Sequence, residues 1–261
     1  MMDWLLLRGL GRTSAHWEPG WPARFASSLP AKSRVFLLDN PGTGTESHRA
    51  APLSIAATAA DVLSRFEALR REEGSTNREF AVFGLSLGGV IAVQLAAVGP
   101  PGLSAVVCCN SSQRFSPAWR RLRPRAMLSL LSSVTHSDRL AAERVVASVV
   151  VATPAKREAA ALNWSKVLPA KKSAVLRQLV AASTHPPPPR LRVPLLVLCG
   201  AGDALCHPSC SAAIARHFGA VLKTHPTGGH ELTLDEPAWV SASVREWLDS
   251  GMPSATANSG T

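Results

Sequence analysis

Between residues 79 and 98 an apolar run, Glu79-Phe80-Ala81-Val82-Phe83, leads into Gly84-Leu85-Ser86-Leu87-Gly88 and then into Val90 to Val98, apolar except for Gln94. The first run is short and partly aromatic, which predicts a buried strand, whereas the last is long enough for a buried helix. Ser86 therefore falls in a sharp strand-to-helix turn. Small residues are needed at 84 and 88, where side chains would collide with neighbouring elements. The helix start adds backbone N–H groups and the positive end of a dipole near the serine hydroxyl. A G-x-S-x-G pattern alone is common, but in this setting it reads as a nucleophile elbow.

The same alternation extends along the chain. Strands are predicted at Trp4 to Leu7, Arg34 to Leu38, Phe80 to Phe83, Ala105 to Cys109, Leu195 to Cys199 and Ala220 to Thr224. Helices are predicted between them at Trp21 to Ser28, Ser54 to Arg71, Gly89 to Val98, Ser209 to Phe218 and Pro237 to Leu248, with Ser54 as an N-cap. This is the pattern of an α/β fold: a mostly parallel sheet flanked by helices, with its ligand crevice beyond the carboxyl ends of the strands. The alternation breaks between two of the strands. Helical pieces around Ala126 to Ser132, Leu140 to Val151 and Ser173 to Ala182, closed by Pro186 to Pro189, predict a helical cap inserted over residues 111–192. The expected organisation is thus core over 1–110, cap over 111–192, core again over 193–250 and a disordered tail over 251–261.

Composition narrows the class. Among 261 residues, 46% are hydrophobic and 18% charged, as in a folded soluble chain with room for one sizeable core. No run of eighteen apolar residues would span a bilayer, and Leu5-Leu6-Leu7 is too short and lacks the basic leader of an export signal. The odd set of Cys108, Cys109, Cys199, Cys206 and Cys210 suits buried thiols in a reducing compartment, so a cytoplasmic location is expected. Cys206, His207 and Cys210 lack a second cluster to complete a zinc site, and no metal or organic cofactor is expected.

A serine nucleophile needs a base, and the base needs an orienting acid. His230, in Thr227-Gly228-Gly229-His230-Glu231 after the last strand, is the favoured base among eight histidines. Asp203, in Gly200-Ala201-Gly202-Asp203, stands at the end of another strand; its competing reading is a turn aspartate bonding its own backbone. The order Ser86, Asp203, His230 is the triad order that accompanies this elbow. Asp235 reads instead as an N-cap or turn residue before Pro237. For the oxyanion, the backbone N–H of Leu87 and that of Leu10, between Gly9 and Gly11, are the candidate donors.

With these residues in place the chain resembles the α/β-hydrolase superfamily, of the small capped serine esterase type, from Leu5 to Leu248. The resemblance rests on Arg8-Gly9-Leu10-Gly11, Asp39-Asn40-Pro41-Gly42-Thr43-Gly44, the Ser86 elbow and the Asp203 and His230 loops, in that order. It implies a Ser-Asp-His hydrolase acting on a carboxylic ester, thioester or lactone through an acyl-enzyme. Acyl transfer and carbon–carbon bond hydrolysis use the same triad, and a catalytically silent binding protein would keep the same residues. Two departures stand out. Arg8 occupies the position where relatives commonly carry histidine, reading either as a charge near the oxyanion turn or as a solvated strand end. Asn40 replaces the usual leucine.

Charge is distributed unevenly. Residues 114–192 hold 15 Lys or Arg against 3 Asp or Glu, while the rest of the chain holds 13 against 15. Such a run is usually a solvated face, yet Arg114, Arg120, Arg121, Arg123 and Arg125 follow a strand end closely enough to meet an anionic substrate. Trp17, Arg114, Phe115, Trp119 and Arg120 are the candidate substrate contacts, with core packing the competing reading for the aromatics. The partner expected is a small acyl substrate. No zinc-finger spacing or interleaved aromatic-basic ladder supports specific nucleic-acid binding, and the chain reads as a monomer or homodimer.

Overall fold

In the computed structural model, which describes residues 2–30, 33–133 and 135–252, the six predicted strands become one parallel sheet. The chain runs through β1 (Met2–Leu7), α1 (Trp21–Ser28), β2 (Arg34–Leu38), α2 (Ile55–Glu72), β3 (Glu79–Leu85), α3 (Leu87–Val98) and β4 (Leu103–Cys109). Five helices follow before the sheet resumes: α4 (Ala118–Arg121), α5 (Pro124–Ser133), α6 (Arg139–Val150), α7 (Pro154–Ser165) and α8 (Lys172–Thr184). The chain then returns through β5 (Leu195–Gly200), α9 (Ser209–Phe218), β6 (Val221–His225), α10 (Leu232–Asp235) and α11 (Pro237–Asp249). From residue 253 on, the tail expected to be disordered lies outside the described residues.

The strand order is β2-β1-β3-β4-β5-β6, with every neighbouring pair parallel. Alternate side chains go to opposite faces, as the pleat requires. Leu5, Leu7, Val82, Val106 and Val197 pack under α2, α3 and α9, whereas Trp4, Leu6, Phe83, Val107 and Leu198 pack against α1 and α11. The second face is aromatic: Trp17, Trp21 and Phe25 crowd Phe83, with Trp21 and Phe25 stacked at 5.1 Å. Because β2 and β3 lie on either side of β1, the chain reverses direction across the sheet there. That switch opens the crevice outside the carboxyl ends of β1 and β3.

The helix after the elbow begins at Leu87, two residues before the predicted start, because Gly88 and Gly89 can enter the first turn where larger residues could not. A Cβ on Gly84 would lie 2.1 Å from Gly88 O, and one on Gly88 would lie 2.3 Å from Leu7 O. Both obstacles are backbone and cannot swing aside. Gly88→Ala is therefore expected to destabilise the protein by about 3 kcal/mol or more. A urea-unfolding midpoint matching that of the unsubstituted protein would contradict this packing.

The helices between β4 and β5 have a small core of their own. Ala147 and Val150 of α6, Val151 just after it, and Ala160, Ala161 and Trp164 of α7 close on Leu234, beside the His230 loop. Helix α7 has no counterpart among the predicted helices, because the side chains it buries are Ala160, Ala161 and Trp164, and alanines give a weak hydrophobic period. Short α10 likewise lies in a stretch read as loop.

Candidate active site

The elbow is held by backbone. Ser86 adopts φ 58° and ψ −116°, a conformation that costs on the order of 1–3 kcal/mol for a residue with a side chain and persists only where its surroundings enforce it. Its N–H donates to Cys109 O at 2.9 Å, and its own carbonyl accepts from Ser111 Oγ at 2.7 Å. Gly9 lies against it: a Cβ there would come within 3.1 Å of Ser86 Cβ. Leu87 is the first residue of α3, so its N–H has no acceptor within the helix.

The turn after β1 is pinned from three directions. Asn40 Nδ2 donates to Arg8 O at 3.3 Å, Arg12 N–H donates to Gly9 O at 3.1 Å, and Gly11 N–H donates to Gln178 Oε1 at 2.9 Å. Gln178 comes from α8 and also donates to Pro41 O, so a helix lying between β4 and β5 in sequence braces the turn that carries Leu10. Asp39 fastens the neighbouring loop, accepting from Ser14 N at 2.6 Å and Thr45 N at 2.9 Å.

Asp203 and His230 are brought together by two loops that touch backbone to backbone. Gly202 N–H donates to Gly228 O, Ala201 N–H donates to His225 O, and a Cβ on Gly200 would sit 2.2 Å from Gly228 O. Across this contact His230 Nδ1 lies 2.8 Å from Asp203 Oδ2, both side chains buried. Asp203 Oδ1 accepts from Leu205 N and Cys206 N, each at 2.8 Å, so the competing turn-aspartate geometry and the contact with histidine coexist on one carboxylate. A hydrogen bond from Ser86 Oγ to His230 Nε2 is not among those formed by the described residues. Contacts of this kind commonly tighten only when substrate binds.

Asn110, with φ 43° at the end of β4, is a residue that pattern reading passed over. Its Nδ2 donates to Gly229 O at 2.8 Å and His230 O at 2.9 Å, while its Oδ1 accepts from Gly200 N at 2.8 Å. Adjacent Asn110 and Ser111 thus hold the main chain of the His230 loop and of Ser86 to the same strand end. Asp235 does more than turn the chain: its carboxylate accepts from Gly229 N, Ala152 N and Thr153 N, tying the start of α7 to the His230 loop.

The solvated-end reading of Arg8 is overturned. Arg8 is 1% exposed, makes two 2.8 Å hydrogen bonds to Glu231, and lies 4.5 Å over the Trp17 ring. Arg12 pairs with buried Glu143 at 2.9 Å and covers Trp164, and Arg139 reaches the same glutamate. Burial, helped by Arg12, Arg8 and Arg139, pushes His16 down to about 2, which keeps it neutral.

The remaining candidates are scattered. Trp17 is buried in the aromatic core against Trp21 and Phe83. Phe115 packs on the His217 ring at 4.8 Å, Trp119 is 65% exposed, and Arg120 is exposed with a 3.4 Å contact to Ser209 Oγ. Arg114 and Arg121 donate to Thr184 O and Ala182 O, capping the end of α8, while Arg123 donates to Asp203 O at 3.2 Å. All five cysteines are free and buried, and burial pushes Cys108 up to about 12. Among the described residues no group of three or more His, Cys, Asp or Glu could hold a metal, and no helix is long and apolar enough to cross a membrane.

A sheet of this order with a strained serine at its switch point defines an α/β hydrolase. Residues 17–237 match the model of the serine aminopeptidase S33 family, and the chain belongs to that family. It is 27% identical to the pimeloyl-[acyl-carrier protein] methyl ester esterase of Vibrio campbellii over 83% of this chain and 75% of that one. Among solved structures, a hydrolase from Pseudomonas aeruginosa PA01 superposes with TM-score 0.71 at 24% identity, covering 94% of this chain and 89% of the other. The esterase RhEst1 from Rhodococcus sp. ECU1013 gives TM-score 0.70 at 20% identity, over 95% and 90% of the two chains. The protein is a serine-hydrolase-family enzyme with the α/β-hydrolase fold.

Proposed function

We propose that the protein hydrolyses carboxylic esters through an acyl-enzyme on Ser86. The observation that carries this reading is the buried 2.8 Å contact of His230 Nδ1 with Asp203, on loops anchored to the strand end that also anchors Ser86. With its Nδ1 proton donated to the carboxylate, His230 keeps a lone pair on Nε2. Ser86 Oγ attacks the carbonyl carbon as its proton passes to Nε2, and the carbonyl electron pair moves onto oxygen, held by the N–H groups of Leu10 and Leu87. The tetrahedral adduct expels the alkoxide, which takes the proton from His230. Water repeats the sequence on the acyl-enzyme, releasing the acid and restoring the serine.

The likeness to a methyl ester esterase supports a small alcohol as leaving group and a carrier-bound acyl chain as substrate. The excess positive charge of residues 114–192 supports an anionic substrate or carrier, with exposed Trp119 and Arg120 as outer contacts. Incubation with activated esters of neutral and carboxylated acyl chains tests both statements. Intact mass is expected to rise by one acyl group located on the Ser86 peptide, with lower KM for the anionic series. Acylation elsewhere refutes the nucleophile; equal KM values refute the charge preference alone.

A further inference from the structure

Two buried charges flank the base and have no part in the reaction as written. Arg8 follows β1 directly and begins the turn that carries Leu10. Glu231 follows His230, and its N–H donates to Val150 O at the end of α6. The two side chains are 223 residues apart in sequence, yet the carboxylate and guanidinium meet in a fork-to-fork pair, both hydrogen bonds 2.8 Å. Trp17 backs the guanidinium, and Arg8 Nε is buried without a partner among the described residues, so the carboxylate is what holds this arginine in place.

We propose that Arg8 and Glu231 are positioning residues, a buried clamp that holds the oxyanion turn and the His230 loop in register while cancelling each other's field at the imidazole. The proposal rests on the reading of His230 as the base. A lone carboxylate next to the imidazole would hold its proton too tightly, and a lone guanidinium would drive it off. As a pair they leave Asp203 as the dominant charge on His230. The other charged groups around the base act at a remove: Arg123 meets the Asp203 carbonyl, and Asp235 meets Gly229 N. The nearby thiol of Cys109 is held protonated by burial, with Cys108, Cys199, Asp203 and Glu231 adding to the effect.

The test is the pH dependence of ester-hydrolysis kcat/KM in Arg8→Gln, Glu231→Gln, the double variant and Arg8→Lys. Arg8→Gln is expected to move the acid limb up and Glu231→Gln to move it down, each on the order of one pH unit, and the double variant to bring it back. Arg8→Lys retains the charge without the fork, so its limb stays in place while kcat falls about tenfold or more with KM little changed. Should either single variant fail to fold, the double variant, which leaves no uncompensated charge, and Arg8→Lys decide the matter. Single variants shifting in the same direction, a displaced limb in the double variant, or unaltered kcat in Arg8→Lys would overturn the clamp. Loss of the limb altogether in the unsubstituted protein would instead count against His230 as the base.

Discussion

Ser86→Ala is expected to lower kcat for ester hydrolysis by about 10⁴- to 10⁶-fold and to abolish covalent labelling by fluorophosphonates, with the fold intact. The size follows from losing the only atom that forms the covalent bond, so water attack within the oxyanion hole is all that remains. The fold survives because the elbow is shaped by main chain. Ser86 N–H to Cys109 O, Ser111 Oγ to Ser86 O, and the glycines on either side are untouched by removing one hydroxyl. Alanine carries the same Cβ as serine, so the strain at φ 58° neither rises nor falls much. Steady-state kinetics with an activated short-chain ester, alongside thermal unfolding, checks both halves. Retention of more than about 1% of the activity would show that another group is the nucleophile.

The sheet was legible because β1 to β5 each carry a run of four or more apolar residues ended by glycine or polar residues, while β6, Val-Leu-Lys-Thr-His, follows a helix and closes at Pro226. All six lie within a few residues of their predicted positions. Ser86, Asp203 and His230 stood out for a related reason: each follows a strand in a glycine-containing turn at the carboxyl end of the sheet. Arg8 stood out as a departure, but its pairing with Glu231, and the roles of Asn110 and Gln178, were not legible. Their partners lie 90 to 223 residues away or are backbone atoms of distant loops, and no local period reports such contacts. The arginines after β4 have main-chain partners that the sequence does not show. Close in sequence, Arg114, Arg121 and Arg123 place their guanidinium groups on main-chain carbonyls of α8 and of the Asp203 loop. Composition locates the charge without showing which way it points.

Asp203→Asn separates the orienting role of the acid from its structural one. Asparagine can still accept from Leu205 N and Cys206 N through its Oδ1, so the turn keeps its hydrogen bonds. Its amide then faces His230 Nδ1 as a donor. That favours the tautomer with the proton on Nε2, where the serine proton has to go, and kcat is expected to fall about 10⁴-fold. The pH profile carries an independent sign. Burial pushes His230 toward its neutral form, but the charge and hydrogen bond of Asp203, with Glu231 adding to them and Arg8 opposing, raise it above the ordinary value of 6.5. The base works only when neutral, so the acid limb of kcat/KM in the unsubstituted protein is expected above pH 6.5. In Asp203→Asn the largest upward influence is gone while burial remains, so the limb of the residual activity moves to lower pH. A limb that stays put would mean that Asp203 does not act on the catalytic base, whatever the loss in rate.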